Sequence, residues 1–247
     1  MRSLFERINS EQNGCLDVLV NNAYSGVQAL TDAYSQPFWD CEPNLWDASN
    51  NVGLRSHYVA SIFAARMMTK RNCGLICTIS SWGGMSYIFG AAYGAGKTAC
   101  DRLAADMAVE LKPHNVACVS IWPGIVGTEH MSRMAEQMHE KNASEKNDSL
   151  FSSRYNWETP LLTGRVIAQL AGDANVIRRT GHVQIVAELA QEYGIVDRDG
   201  ERPVSLRSLR FLLPSALPGL KKHSWLIPDI KVPWWLLLIS ALSSPKI

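Results

Sequence analysis

The chain has 247 residues, with 24 Lys and Arg against 23 Asp and Glu and a formal net charge of +1. Hydrophobic residues make up 47% of it. This composition excludes a disordered chain and a collagen-like fibre, and the length fits one α/β domain or two small domains. The near-neutral charge argues against nucleic acid as the main partner, because phosphate binding requires a basic face.

Positive charge is concentrated near the C-terminal end of the chain. Residues 201–247 hold seven Lys and Arg against Glu201 and Asp229, an excess of five positive charges. We therefore expect a folded part at 1–200 and a basic, apolar tail at 201–247.

The six cysteines are scattered through apolar stretches and are not grouped as in a disulfide scaffold. Their distribution predicts a reducing compartment. Cys73 and Cys77 are not spaced as a Cys-x-x-Cys pair and no second Cys or His cluster follows them, so we predict no metal site.

The first half of the chain alternates between helical and strand patterns. Leu4, Phe5 and Ile8 recur at helical spacing, and Gly14 ends this first helix. The apolar run at 16–20 then predicts a strand buried on both faces, as in parallel sheets. Further helices are predicted at 43–69 and 91–111, and further strands at 75–80 and 116–121. Because strand and helix alternate, we predict an α/β fold with a doubly wound parallel sheet of the Rossmann type.

The segment at 129–157 is polar and rich in Met, which predicts a long mobile segment or lid. Its Met131, Met134 and Met138 recur at helical spacing and favour an apolar wall of a substrate pocket. The two Asn-x-Ser triplets, at 142–144 and 147–149, are interpreted as chance triplets. A helix near 160–172 and a strand near 181–186 complete the α/β part.

Tyr93 and Lys97 lie four residues apart in a predicted helix, so their side chains project from the same face. A lysine ammonium near a phenol favours the phenolate, and we expect it to lower the pKa of Tyr93 from about 10. Ser80 and Ser81 end a predicted strand, at the sheet edge where α/β folds bind ligands. A serine hydroxyl there can hydrogen-bond a substrate carbonyl.

Two other apolar strands also end in distinctive turns, Asn21–Tyr24 and Pro123–Thr128. The carboxyl ends of parallel strands meet at one edge of a sheet. We therefore predict that three strand ends and one helix converge on one crevice.

These motifs resemble the short-chain dehydrogenase/reductase superfamily in its order and approximate spacing. The resemblance rests on Leu-Val-Asn-Asn-Ala at 19–23, Ser81, Tyr93-x-x-x-Lys97 and Pro-Gly-Ile-Val-Gly-Thr at 123–128. Residues 46–47, 50–55 and 93–106 are closer still to one member of that superfamily.

The resemblance implies hydride transfer between a nicotinamide cofactor and a carbonyl or alcohol. It implies that Tyr93 is the general acid and base, that Lys97 lowers its pKa and holds the nicotinamide ribose, and that Ser81 polarises the carbonyl. NADP(H) is favoured over NAD(H), with no metal. The implied cofactor-binding residues are Asn21, Ala23, Tyr93, Lys97, Pro123, Gly124, Val126 and Thr128.

The sequence departs from the family pattern in two places. Family members open with a strand, a Thr-Gly-x-x-x-Gly-x-Gly turn and a helix that hold the pyrophosphate, and no such turn precedes Asn21. We therefore expect an N-terminally truncated domain without the first strands. Gly53 stands where the family places an Asn of the proton relay, and Asn51 is turned about 200° from that face, so neither is assigned to the relay.

The resemblance also implies a homodimer that forms through the helices at 43–69 and 91–111. The apolar run at 232–242 is too short to span a bilayer, which needs about 20 residues. Two interpretations stay open: an interfacial contact of its Trp and nearby Lys side chains with anionic lipid, or a hydrophobic element folded back on the domain. We expect a cytoplasmic protein, associated with the endoplasmic reticulum membrane under the first interpretation.

The function predicted is that of an NAD(P)H-dependent carbonyl reductase or alcohol dehydrogenase acting on a small carbonyl or alcohol, with steroid-like or aromatic ketones favoured. The alternative is a truncated, inactive subunit that acts as a dimerisation partner.

Overall fold

The computed structural model describes residues 1–141 and 155–243. Contacts divide the chain into two compact units. The first comprises residues 1–122 and 167–184, and the second comprises the described residues of 123–166 and 185–245.

The helices and strands follow one another in a regular order up to residue 122. They are α1 (Arg2–Glu11), β1 (Val18–Asn21), α2 (Val27–Asp32), α3 (Asn44–Asn50), α4 (Ser56–Arg71), β2 (Gly74–Ile79), α5 (Ala91–Leu111) and β3 (Val116–Trp122). The remaining elements are β4 (Ile125–Val126), α6 (Glu129–Lys141), β5 (Trp157–Glu158), α7 (Pro160–Ala171), β6 (Val183–Ile185), α8 (Val186–Glu192), α9 (Leu209–Ala216) and α10 (Trp234–Ser243).

The main sheet has the strand order β1-β2-β3-β6. β1 pairs with β2, and β2 with β3, in parallel, with Val18 opposite Leu75 and Gly74 opposite Val116. This parallel sheet with intervening helices confirms the predicted Rossmann-type α/β class. All seven residues of β3 are buried, which explains why Ser120 is its one polar residue.

The strand at 16–20 was predicted to be buried on both faces, and this is wrong for Val20, whose exposure is 41%. The structure places β1 at the edge of the described sheet, where β2 is its one neighbour. An edge strand has fewer elements packed over it, so apolar residues alone do not ensure its burial.

Small side chains bring α4 and α5 close to the sheet. Ala64 of α4 and Ala104 and Ala108 of α5 are buried in one cluster with Ile76 and Cys118 of the strands. Phe5 of α1 stacks on Phe63 of α4, with ring centroids 5.6 Å apart. The predicted first helix thus covers part of this core.

The helix predicted at 43–69 is interrupted. Residues 51–55 form one π-helical turn between α3 and α4, a feature that commonly marks functional sites. The Cys100 thiol of α5 donates a hydrogen bond of 3.2 Å to the carbonyl of Gly53 within this turn. The break therefore depends on packing against α5, which periodicity along one segment does not reveal.

In the segment predicted as a long mobile segment or lid over 129–157, residues 129–141 form α6. Met134 is buried on that helix. Residues 142–154, which include both Asn-x-Ser triplets, lie outside the described residues.

All six cysteines are free thiols. Cys77, Cys100 and Cys118 are buried, and burial raises the pKa of Cys77 and Cys118 to about 12 and that of Cys100 to about 11. Cys15 is exposed.

Arg207 connects the C-terminal residues of the second unit to α8. Its Nε and Nη2 atoms donate to the two carboxylate oxygens of Glu188 at 2.7 and 2.9 Å, and Nη1 donates to the carbonyl of Val232 at 3.0 Å. Its guanidinium also lies 5.2 Å from the ring centroid of Trp234, the first residue of α10. Within the described residues, none of the helices has both the length and the apolar character needed to cross a membrane.

Candidate active site

The Ser81 and Tyr93 hydroxyls are 2.9 Å apart and share a hydrogen bond. Ser81 lies two residues beyond β2, and Tyr93 lies in the first turn of α5. The backbone N–H of Gly83 also donates to Ser81 Oγ at 3.1 Å, which fixes the orientation of the serine. The structure thus brings together two of the predicted catalytic side chains.

Lys97 lies one turn after Tyr93 on the same face of α5 and is 8% exposed. Its Nζ donates to the carbonyl of Ile79 at 3.2 Å and lies 5.7 Å from the ring centroid of Tyr93. Its backbone carbonyl accepts a hydrogen bond of 3.0 Å from Ser80 Oγ. The strand end therefore holds both the backbone and the side chain of Lys97.

The turn at 82–84 packs tightly against α5, and two glycines allow this approach. A Cβ at Gly83 would lie 2.5 Å from Tyr93 Cε1, and one at Gly84 would lie 2.8 Å from Asp101 Oδ2. No side chain fits at either position without displacing the helix or the turn. The two glycines therefore allow the turn to pack directly against Tyr93 and the following turns of α5.

Asp101 anchors α5 to β3 one turn beyond Lys97. Its Oδ1 accepts hydrogen bonds from Ser120 Oγ and from Trp122 Nε1, the latter at 2.9 Å. Burial raises the pKa of Asp101, and these hydrogen bonds offset part of that rise.

The expectation that the pKa of Tyr93 is lowered differs from the structure, in which it is raised. Burial of the phenol is the main cause, and the hydrogen bond from Ser81 offsets only part of it. The same burial lowers the pKa of Lys97. Removal from water disfavours both charged forms, and the spacing of the two residues along a helix does not reveal this.

Asn21 and Ala23 were predicted to line the adenosine side of a cleft, and their polar groups are engaged within the fold. Asn21 Nδ2 donates to Ser61 Oγ at 3.0 Å and to Thr78 Oγ1 at 3.5 Å. The carbonyl of Ala23 accepts a hydrogen bond of 3.1 Å from His57 Nε2, whose pKa is lowered by burial. In this structure both residues therefore support the end of β1.

Pro123, Gly124, Val126 and Thr128 belong to the second unit. There β4 pairs in parallel with β5, and the backbone N–H of Gly127 donates to the carbonyl of Glu158 at 2.8 Å. The motif thus forms the short strand β4 and the residues that flank it, which pair with β5.

Glu158 supports this motif and was not recognised in the sequence. Its side chain is 2% exposed, Oε1 accepts a hydrogen bond of 3.3 Å from Thr163 Oγ1, and Oε2 would lie 2.9 Å from a Cβ at Gly124. Burial raises the pKa of Glu158 to about 7, and the Gly124 N–H and Thr163 hydroxyl offset only part of the rise. The residues around Glu158, Trp-Glu-Thr-Pro at 157–160, give no indication that this glutamate is buried.

Tyr24 and Asn50 also lie at the site and were not assigned from the sequence. Lys97 Nζ is 4.9 Å from the ring centroid of Tyr24. Asn50 Nδ2 donates to the carbonyl of Ala92, in the first turn of α5, at 3.3 Å. The amide that reaches α5 thus comes from Asn50 rather than from Asn51 or position 53.

Residues 1–139 match the family model described as short chain dehydrogenase. Dehydrogenase/reductase SDR family member 1 of Homo sapiens is 43% identical over 244 residues, which is 97% of this chain and 76% of that protein. Carbonyl reductase (NADPH) 2 of Sus scrofa is 38% identical over 117 residues, 47% of this chain and 45% of that protein. Among solved structures, ElxO with NADP bound has a TM-score of 0.57 and 27% identity, and the match covers 74% of this chain and 71% of that one.

The relative from Homo sapiens matches along nearly the whole chain, and the family model covers more than half of it. The chain therefore belongs to the short-chain dehydrogenase family, whose members are oxidoreductases that act on alcohol and carbonyl groups.

Proposed function

We propose that this chain catalyses the NADPH-dependent reduction of ketones or aldehydes, and the reverse oxidation of the alcohols, at the site formed by Ser81, Tyr93 and Lys97. The observation that carries the proposal is the 2.9 Å contact between the Ser81 and Tyr93 hydroxyls, with the Lys97 ammonium on the same helix face. Two hydroxyls at that distance can both hydrogen-bond one carbonyl oxygen.

In this mechanism Tyr93 moves the proton and Ser81 orients the substrate. When a nicotinamide cofactor is bound, it supplies or accepts the hydride at the carbonyl carbon. Ser81 donates a hydrogen bond to the carbonyl oxygen, and the Tyr93 hydroxyl gives its proton to that oxygen as the alcohol forms. Lys97 stabilises the phenolate that Tyr93 becomes, because the ammonium carries the opposite charge.

The environment of Lys97 supports a cofactor sugar at this position. An ammonium has three N–H donors, and the described residues give Lys97 Nζ one hydrogen bond, to Ile79. The remaining donors suit the hydroxyls of a ribose. Asn21 would contribute through its backbone, since its side-chain amide is held by Ser61 and Thr78.

We favour NADP(H) over NAD(H), and two of the similar proteins support this choice. The name of the Sus scrofa protein includes NADPH, and the ElxO structure has NADP bound. We propose steroid-like or aromatic ketones as substrates, because Met131, Met134 and Met138 recur at helical spacing, a pattern that favours an adaptable apolar wall.

The purified chain should oxidise NADPH in the presence of a panel of aromatic and steroid ketones. NADPH binding is followed separately through tryptophan fluorescence, since the chain has eight Trp. Turnover that is equal in wild type and Tyr93→Phe would overturn the assignment of Tyr93. Absence of both binding and turnover would favour the alternative of an inactive interaction partner.

We further propose that the C-terminal tail makes a peripheral contact with anionic membranes such as that of the endoplasmic reticulum. Trp235 is 63% exposed, Leu238 and Ile239 are more than half exposed, and Lys221 and Lys231 lie in the same tail. Co-sedimentation should be stronger with vesicles containing phosphatidylserine than with phosphatidylcholine alone. The double variant Trp235→Glu with Leu238→Glu should lose it, and Phe38→Glu in the first unit should not. Equal binding to both vesicles would contradict the proposal.

We also propose a homodimer through the outer faces of α4 and α5. Val109 of α5 is 75% exposed and Tyr58 of α4 is exposed as well, which leaves apolar surface on both helices. Light scattering should report a dimer for the wild type and a monomer for Tyr58→Glu combined with Val109→Glu. A monomeric wild type would exclude this interface.

A further inference from the structure

We propose that Tyr24 is a positioning residue for Lys97: the face of its ring holds the lysine ammonium in register with Tyr93. The inference deepens the proposed function and rests on the assignment of Lys97 and Tyr93 to proton transfer. Tyr24 follows β1 in the chain, whereas Tyr93 and Lys97 lie on α5. A second segment of the chain would thus contribute a residue to the site.

The first support is the contact between Lys97 and two aromatic rings. Lys97 Nζ lies 4.9 Å from the centroid of Tyr24 and 5.7 Å from that of Tyr93, and both distances are within the range of a cation–π interaction. The two rings meet edge to face, with centroids 6.1 Å apart. The ammonium is therefore closer to the ring centroid of Tyr24 than to that of Tyr93.

The second support is that the fold makes room for this ring. A Cβ at Gly53 would lie 2.4 Å from Tyr24 Cδ2 and 2.6 Å from Cε2, and a Cβ at Gly26 would lie 2.6 Å from the Tyr24 hydroxyl oxygen. Gly53 lies in the π-helical turn, which the Cys100 thiol ties to α5. Two glycines from different segments thus enclose the ring, and its position is fixed relative to the helix that carries Lys97.

The third support concerns charge. Burial disfavours the ammonium form of Lys97, whose pKa is lowered. An aromatic face attracts a cation, so the Tyr24 ring opposes this effect and keeps Lys97 charged. The Tyr24 hydroxyl itself stays protonated, because burial raises its pKa to about 12. The other titratable groups that interact with Lys97 are His57 of α4 and Tyr93, Cys100 and Asp101 of α5.

The test compares variants that keep or remove the aromatic face. Tyr24→Phe keeps the ring, whereas Tyr24→Leu and Tyr24→Met remove it and fill much of the same space. We expect kcat for ketone reduction to fall about tenfold in Tyr24→Leu and Tyr24→Met with a smaller change in KM, and to stay within about twofold in Tyr24→Phe. For alcohol oxidation, the acidic limb of the pH profile should move up by about one pH unit in the Leu and Met variants, since a less charged Lys97 stabilises the phenolate less.

A readout that needs no turnover separates this inference from the proposed function. In the full chain labelled with ¹³C-lysine, NMR titration should show a Lys97 pKa about one unit lower in Tyr24→Leu and Tyr24→Met than in wild type and Tyr24→Phe. Phe38→Leu, which removes an exposed ring elsewhere in the first unit, is the control and should leave this pKa unchanged.

An unchanged Lys97 pKa in both the Leu and Met variants would overturn the role of Tyr24. So would an equal loss in Tyr24→Phe, since the hydroxyl and not the ring would then matter. Full activity of Tyr93→Phe would instead overturn the proposed function, whatever the Lys97 titration shows.

Discussion

The Oδ1 atom of Asn50 lies so close to the backbone of Gly96 that a Cβ at position 96 would be 2.1 Å from it. Asn50 Nδ2 also donates to the carbonyls of Trp46 and Ala92, so this amide joins α3 to the first turns of α5. Gly96 immediately precedes Lys97. The closeness of the two helices at this point therefore sets the position of the lysine.

Gly96→Ala should destabilise the protein by about 2 kcal/mol, because the new methyl group displaces the Asn50 amide. It should also lower turnover, since Lys97 moves with the helix. Urea denaturation and ketone reduction measure the two effects. Gly164→Ala on α7 is the matched control: a Cβ there would meet no neighbouring segment within 4 Å, so it should be neutral or stabilising by up to about 1 kcal/mol. Equal stabilities of the two variants would contradict the close packing at Gly96.

Tyr93→Phe and Ser81→Ala should separate the two hydroxyls of the site. Loss of the proton donor is expected to lower kcat for ketone reduction by about 10²–10⁴-fold, and loss of the orienting hydroxyl by about 10²-fold. Ser86→Ala is the control, because its hydroxyl lies in the same loop and donates to the carbonyl of Trp82. Circular dichroism should show native folds for all three. A loss in Ser86→Ala as large as that in Ser81→Ala would indicate a general effect of the loop.

Glu158 should make the stability of the protein fall as pH rises. Its pKa in the folded state is about 7, above the ordinary 4.5, so the folded protein binds this proton more tightly than the unfolded chain does. Stability is then greatest where Glu158 is protonated and declines between about pH 4.5 and pH 7, by about 3 kcal/mol from this group.

Glu158→Gln should remove this decline, because a neutral amide replaces the carboxyl group at nearly the same size. Urea midpoints at pH 5 and pH 7.5 measure it, and the variant should gain stability relative to wild type at the higher pH. Glu110→Gln, on the exposed surface of α5, should keep the wild-type slope. A wild-type slope in Glu158→Gln would show that another group titrates.

Arg207→Gln should loosen the C-terminal tail. It breaks the two-point ion pair with Glu188, in which both side chains are mostly buried, and we expect a loss of about 3 kcal/mol. Burial acts to raise the pKa of Glu188, but hydrogen bonds from Arg207 and Ser205 outweigh it and hold the pKa below 4.5. The stabilisation is therefore present above about pH 4.5 and is lost as pH falls through the folded pKa.

Limited proteolysis should cut the tail of Arg207→Gln faster than that of wild type at pH 7, and the exposed Arg202→Gln should match wild type. Equal cleavage rates of Arg207→Gln and wild type would show that the remaining contacts of the tail suffice.

The elements predicted best from the sequence are those in which one pattern of burial continues along the whole length. The observed α5 has the predicted bounds, because its apolar and small residues recur on one face over 21 residues. β3 was predicted to within one residue, because it is buried throughout. The Tyr93 and Lys97 pair followed from helical spacing together with the predicted strand end at Ser80 and Ser81.

The features that escaped prediction depend on contacts between distant segments. The ring of Tyr24 is held by Gly26, Gly53 and Lys97, and no pattern around position 24 marks it. The burial of Glu158 depends on the pairing of β4 with β5. The direction of the Tyr93 pKa depends on how much water the packed turn at 82–84 excludes, which a motif does not state.

The free thiols differ in burial, and we expect them to react with alkylating reagents at different rates. Alkylation proceeds through the thiolate, so the buried Cys77, Cys100 and Cys118, with pKa values of about 12, 11 and 12, should react far more slowly than the exposed Cys15. A maleimide dye would therefore attach first outside the core, before it reaches Cys100 on the catalytic helix. The wild-type chain could then carry fluorescent reporters at the more accessible thiols of Cys15, Cys41 and Cys73, and the core would stay unlabelled.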